Sequence, residues 1–160
     1  MPGPLYLLTL IAAVGCGLAA GVFFAFSSFV MKALARLQPA QGVAAMQAIN
    51  LAAIGPAFML VLFGTALACI AVAGLALAHP RAAYVPYVLA GSGLYLSGVI
   101  AVTIAFNVPR NEALARAEPT SADAPGSWAR YLSQWTAGNH VRALAALAAT
   151  VTLTIALRVS

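Results

Sequence analysis

Charge is scarce in this chain. Eight Lys or Arg and three Asp or Glu make up only 7% of its 160 residues, while 63% are hydrophobic; soluble domains carry roughly 25% charged residues. A separate water-soluble domain is therefore excluded. The few basic residues give a net charge of +5, but they are scattered over the ends of connections without a stripe or run, which argues against a nucleic-acid surface. Cysteine and histidine number two each. Cys16 and Cys69 form no Cys-x-x-Cys pair, so thiol exchange is unsupported, and small apolar packing roles near mid-membrane are expected for both. No Asp or Glu falls within an apolar stretch, and His79 and His140 are expected at opposite membrane faces. Such a set predicts no metal site, no bis-His haem and no proton-coupled transporter. The glycines lie in apolar segments rather than in a phosphate-binding loop, and no Gly-x-Ser-x-Gly occurs.

What the chain has in abundance is long apolar sequence. Leu5 to Met31, Leu51 to Ala78, Tyr84 to Phe106 and Val141 to Val159 each approach the roughly 20 residues a helix needs to cross about 30 Å of hydrocarbon. The expected fold is all-α: an integral membrane four-helix bundle forming one domain over 1–160, with short interfacial helices in the two longer connections. The first stretch is too long for a signal peptide and no basic residue precedes it, so it is expected to stay in the mature protein. Lys32, Arg36, Arg110, Arg116, Arg130 and Arg142 lie in or beside the longer connections, against Arg81 and Arg158 on the other face. Positive-inside counting then places both connections in the cytoplasm and both termini outside, as in a bacterial inner membrane. Small residues recur in steps of four at Ala13, Gly17, Gly21 and Ala25, at Gly93, Ser97, Ala101 and Ala105, and at the pairs Gly64 with Ala68 and Ala145 with Ala149. They are expected to line helix contacts, and they leave a homo-oligomer open. Gly55-Pro56 should bend the second span or begin its regular part.

Polar chemistry collects at the end of the bundle carrying the longer connections. Gln47 and Asn50 share a helical face. Asn107 closes the third span, and Val108-Pro109-Arg110-Asn111-Glu112 is expected to restart a short helix, with Pro109 pushing Val108 out of the helical region. Trp128, Tyr131 and Trp135 make one face of a short interfacial helix with Ser127 as its cap. Asn139-His140-Val141-Arg142 opens the last span. A cation in a first helical turn is disfavoured by about 0.3 to 1 kcal/mol, so Arg142 needs an offsetting group: Glu112, Glu118, a lipid phosphate or an anionic ligand such as a phenolate. His140 is a candidate proton acceptor. Capping is the simpler reading of Asn107 and Asn139, as interface anchoring is for Trp128 and Trp135.

Taken in order, Phe24-Ala25-Phe26-Ser27-Ser28-Phe29-Val30-Met31, Ala45-Met46-Gln47-Ala48-Ile49-Asn50, Asn107-Val108-Pro109-Arg110-Asn111, Trp128 with Trp135, and Asn139-His140-Val141-Arg142 resemble the anthrone oxygenase-like family of small four-span membrane proteins. Fungal members are associated with oxidising polyketide anthrones to anthraquinones with molecular oxygen and no evident cofactor. The resemblance implies a lipid bilayer, an aromatic small molecule and O2 as partners, with no cofactor and no metal. It implies His140 as base and Arg142 as the group stabilising a phenolate or enolate, with Asn107 and Asn111 beside them in the catalytic set. Gln47 and Asn50 would orient substrate oxygens, Phe26 and Trp135 would stack on its rings, and Trp128, Tyr131 and Asn139 would complete the binding site. On this reading His140→Ala abolishes turnover and spares folding. Gly138 stands where an aromatic residue is expected in many relatives, and that departure is expected either to enlarge the pocket or to loosen the start of the last span. The competing class is a non-enzymatic bundle that binds a lipid or quinone-like ligand, or an accessory membrane subunit; a channel is weaker, because no selectivity element is recognisable.

Overall fold

Prolines set where the helices begin. In the computed structural model, which describes residues 1–160, five helices run in order: α1 Gly3–Leu34, α2 Pro39–Ala53, α3 Pro56–Ala76, α4 Val85–Ala115 and α5 Ala124–Arg158. Each carries Pro at one of its first two positions, where the missing N–H has no intrahelical partner to lose and the fixed φ already suits a helix. Gly55-Pro56 thus begins the second span. All but α2 are long and apolar enough to cross a membrane, and together they form an all-α membrane bundle. The termini and the turn from 77 to 84 lie at one end; α2 covers the other, against α5 and the last turns of α4.

The core is built by close approach at small residues. An added Cβ at Gly91 would lie 2.8 Å from Leu153 Cγ, and one at Gly15 or Gly98 would collide with Thr65 or Ala145. These glycines bring α1 onto α3 and α4 onto α5. The steps of four expected from sequence are in part wrongly phased, since Gly21 and Gly93 face open space and Ser97, Ala101 and Ala105 are exposed. Small side chains facing lipid carry no penalty, so the register is set by where Tyr95, Val99 and Leu153 find room in the core. Cys16 and Cys69 are free, fully buried and adjacent in that core.

A second cluster fills the connecting end: Met31 and Leu34 of α1, Val43 and Met46 of α2, Leu114 of α4, and Trp128, Tyr131 and Trp135 of α5. Gly42 lets α2 seat on the indole of Trp128, for a Cβ there would come within 2.6 to 2.7 Å of the ring atoms. Overpacking of this kind costs about 1 to 3 kcal/mol. Gly42→Ala is therefore expected to lower unfolding stability by that amount and shift tryptophan emission to the red, measured by thermal and fluorescence titration in detergent.

Several local expectations are corrected. The aromatic segment is helical as its spacing predicts, but it is continuous with the last span, so Ser127 lies inside the first turn of α5 and caps nothing. Arg142 consequently sits mid-helix, and the end-of-helix dipole argument does not apply to it. Val108 keeps helical angles, φ −60° and ψ −49°, and α4 runs through Pro109 unbroken. The carbonyl a proline ring ordinarily strikes, four residues back, belongs here to Ala105, inside a widened π-helical turn over Thr103–Asn107. Similar turns occur at Phe26–Val30 in α1, Leu60–Gly64 in α3 and Leu96–Ala101 in α4.

Candidate functional site

Three of the widened turns, at Phe26–Val30, Leu60–Gly64 and Thr103–Asn107, border a cavity. Its volume is about 480 Å³, and it lies between the last turns of α1, the end of α2, the first turns of α3, the last turns of α4 and the middle of α5. Fifteen of its 22 lining residues are hydrophobic, Phe23, Phe26, Phe58 and Trp135 among them. Apolar walls with a few convergent polar groups are the usual form of a small-molecule site. The polar groups here are Gln47, Asn50, Thr103, Asn111, Glu112, Asn139 and Arg142.

Arg142 dominates the electrostatics. Only 6% of it is exposed, and its partners are neutral: one terminal nitrogen donates to Asn139 Oδ1 at 2.8 Å, the other to Thr103 Oγ1 at 3.3 Å. The guanidinium carbon lies 4.5 Å from the Phe23 ring centroid and 5.0 Å from that of Trp135, contacts that attract a cation through the ring quadrupoles. No carboxylate pairs with it. A cation inside a membrane helix is costly and is found where it meets a partner or a pathway. Arg142 Nε and Trp135 Nε1 are moreover buried N–H groups without acceptors, both on residues that line the cavity. An acceptor oxygen, above all an anionic one, is the complement this site lacks.

Asn139 fixes that geometry from behind. Fully buried, it donates through Nδ2 to the Phe23 carbonyl at 2.7 Å and to Ser27 Oγ at 2.8 Å, leaving Oδ1 for Arg142. It ties α1 to α5 and is no cap. Asn107, also fully buried, donates to the Trp135 carbonyl at 3.1 Å and so joins α4 to α5 behind the cavity wall. Gly138 permits this approach: a Cβ there would meet Phe106 Cδ1 at 2.5 Å and Asn107 Oδ1 at 2.7 Å. Its small size is used for helix contact and does not widen the pocket.

About three turns before Arg142 on α5, Tyr131 donates to Asn111 Oδ1 at 2.9 Å and accepts from Asn50 Nδ2 at 3.5 Å, linking α2, α4 and α5. Tyr131 stacks on Trp128 and Trp135, with centroids 5.7 and 6.1 Å apart, and Phe26 packs on Trp135 at 5.7 Å. Gln47 donates to the carbonyls of Leu114 and Ala117 at 2.9 and 3.0 Å, closing the end of α4.

Of the residues singled out from sequence, Arg142, Asn111, Gln47, Asn50, Phe26, Trp135 and Asn139 line the cavity. Asn107, Trp128 and Tyr131 stand behind it as supports. His140 is outside. It is exposed and opens into a separate groove with Ser27, Lys32, Ser133 and Thr136, two residues along α5 from Arg142 and hence on a different side of the helix. Sequence reading missed Thr103, whose spacing of four before Asn107 was the available signal. It offered Glu112 only as an ion-pair partner for Arg142. The structure places Glu112, itself exposed, on the cavity lining and unpaired, making it the one lining residue besides Arg142 with an ionisable side chain.

The family described as anthrone oxygenase matches residues 52–152, a stretch that holds Thr103, Asn111, Glu112, Trp135, Asn139 and Arg142. No curated protein and no solved structure matches the chain.

Proposed function

The chain belongs to the anthrone oxygenase family, and from that premise we propose that its cavity binds a planar aromatic with an acidic methylene or hydroxyl, removes a proton, and presents the anion to O2. The observation that carries this reading is Arg142: a buried cation without a carboxylate partner, facing an aromatic-walled space.

The protonic base is assigned to Glu112. It is the proton-accepting side chain with access to the cavity, whereas His140 opens elsewhere. A carboxylate is a weak base, so the transfer depends on the anion being held, and that is the work of Arg142 in a water-poor site. Asn139 and Thr103 orient the guanidinium. Phe26 and Trp135 stack on the rings, while Asn50, Asn111 and Gln47 border the remaining oxygens. The substrate carbanion is electron-rich enough to reduce O2 directly; carbon–oxygen bond formation gives a peroxide, which takes back the first proton as a hydroperoxide. Loss of the second C–H proton with cleavage of the O–O bond leaves a ketone and one water. Methylene and O2 thus become carbonyl and water, with no further electron donor. The excess of Lys and Arg at the connecting end supports a cytoplasmic position for the cavity, in a bacterial inner membrane.

Oxygen uptake with a hydroxylated anthrone, measured in nanodiscs against the Arg142→Met variant as baseline for autoxidation, tests the reading. Uptake well above that baseline is expected. Uptake equal to it would leave a bundle that binds aromatic or quinone-like ligands without turning them over. His140→Ala is expected to retain uptake within about twofold of wild type, because surface changes away from a site seldom exceed about 0.5 kcal/mol; a loss of a hundredfold would return the base to His140.

A further inference from the structure

The cavity has an open side, and its edges are largely apolar. The second half of α3 packs on the first half of α4; on the other side of the widened turn at Leu60–Gly64 the two helices part, the turn itself leans on α1, and residues 56–64 make no comparable contact with residues 103–115. The gap is edged on one side by Leu51 and Ile54, at the end of α2, and by Phe63 of α3, which are 75%, 68% and 45% exposed. Val108 and Ala115 of α4 form the other edge. All five line the cavity and are apolar; Glu112, exposed on the same face of α4 between Val108 and Ala115, is the one charged residue among them. An edge meant for water would be polar throughout; apart from Glu112 this one matches acyl chains.

We infer that the substrate is a bilayer-dissolved planar phenol or enol, and that it reaches Arg142 sideways through this portal rather than from the aqueous face. The inference rests on the proposed function for what is bound. The opening itself does not depend on it. Charge complementarity fixes the orientation: the acidic oxygen leads toward the guanidinium and the unpartnered Trp135 N–H, while an apolar substituent trails between Ile54 and Val108 into the membrane. Alkyl-bearing aromatics that partition into lipid are the preferred class, and ring systems kept in water by a sulfonate are poor substrates despite their negative charge.

The chain holds two tryptophans, and Trp128→Phe leaves Trp135 as sole reporter on the cavity wall. In nanodiscs of phosphatidylcholine brominated at mid-chain, Trp135 emission is expected to fall at least twofold relative to unbrominated lipid, because chains occupy the open portal when no substrate is present. Iodide added to the water is expected to have little effect. Ala53→Phe with Ala115→Phe, two cavity-lining rim positions at helix surfaces, should fill the gap and restore most of the emission. Far-ultraviolet dichroism and melting temperature check that this variant folds. Bromine quenching that is absent, or equally strong in the filled variant, overturns the portal, as does quenching by iodide. If the portal is found open and anthrone uptake equals the Arg142→Met baseline, the oxygenase reading falls while the lateral opening stands.

Discussion

Arg142→Met is expected to abolish anthrone-dependent oxygen uptake while leaving the bundle folded. Removing a donor aimed at developing negative charge costs about 10² to 10³ in rate, and here the donor carries full charge in a membrane interior. Stability should move far less. A buried cation without a counter-ion is a burden on the fold, and replacing buried charge by an apolar side chain of similar length is often neutral or favourable. Against this stands Asn139 Oδ1, which loses its partner at 2.8 Å, at a cost of about 1 to 3 kcal/mol. The two effects oppose, so the net change should stay within about 2 kcal/mol of wild type, read from denaturant titration in mixed micelles. Loss of uptake together with a large loss of stability would mean that Arg142 holds the helices together, and the anion site would lose its principal support.

Glu112→Gln is expected to separate binding from turnover. Glutamine keeps the size and hydrogen-bonding reach of the side chain but cannot take a proton from carbon. General-base removal typically costs about 10² to 10⁴ in rate. Binding of a hydroxylated anthraquinone, which has no methylene to lose, should be retained within a few-fold and is measured by quenching of Trp135. Equal loss of both would reduce Glu112 to a contact. Unchanged turnover would mean that the substrate arrives as its anion and that Arg142 alone shifts its ionisation.

The membrane bundle was legible because its signals are local. Four apolar runs of span length need no tertiary information, and neither does the step of three and four that puts Trp128, Tyr131 and Trp135 on one face. The convergence of Asn50, Asn111, Asn139 and Arg142 was also legible, since topology alone brings the connecting ends together. Which side each residue faces was not. His140 and Arg142 are two apart in sequence, so on a helix they point in different directions, and choosing between them requires knowing where α1 lies. The expected break at Pro109 failed for a related reason: the widened turn before it depends on packing against α5. Asn107 and Asn139 read as caps when the helices were assumed to end there. In the continuous helices they are crossbraces, each satisfying a backbone carbonyl of a neighbouring span.

The widened turns of α4 also govern phase. Tyr95, Val99, Thr103, Asn107 and Asn111 follow one another in steps of four, and each meets the bundle interior or the cavity: Tyr95 donates to the Leu62 carbonyl, Thr103 accepts from Arg142, Asn107 reaches α5 and Asn111 accepts from Tyr131. On a helix of 3.6 residues per turn a step of four overshoots by about 40°, so four such steps would wind the row about 160° around the axis. Asn111 would then look away from Tyr95, out of the protein. Turns closed by bonds five residues apart take up that overshoot, so tightening them into ordinary α-turns at unchanged length would act less as a lengthening than as a twist, swinging the polar wall toward the acyl chains.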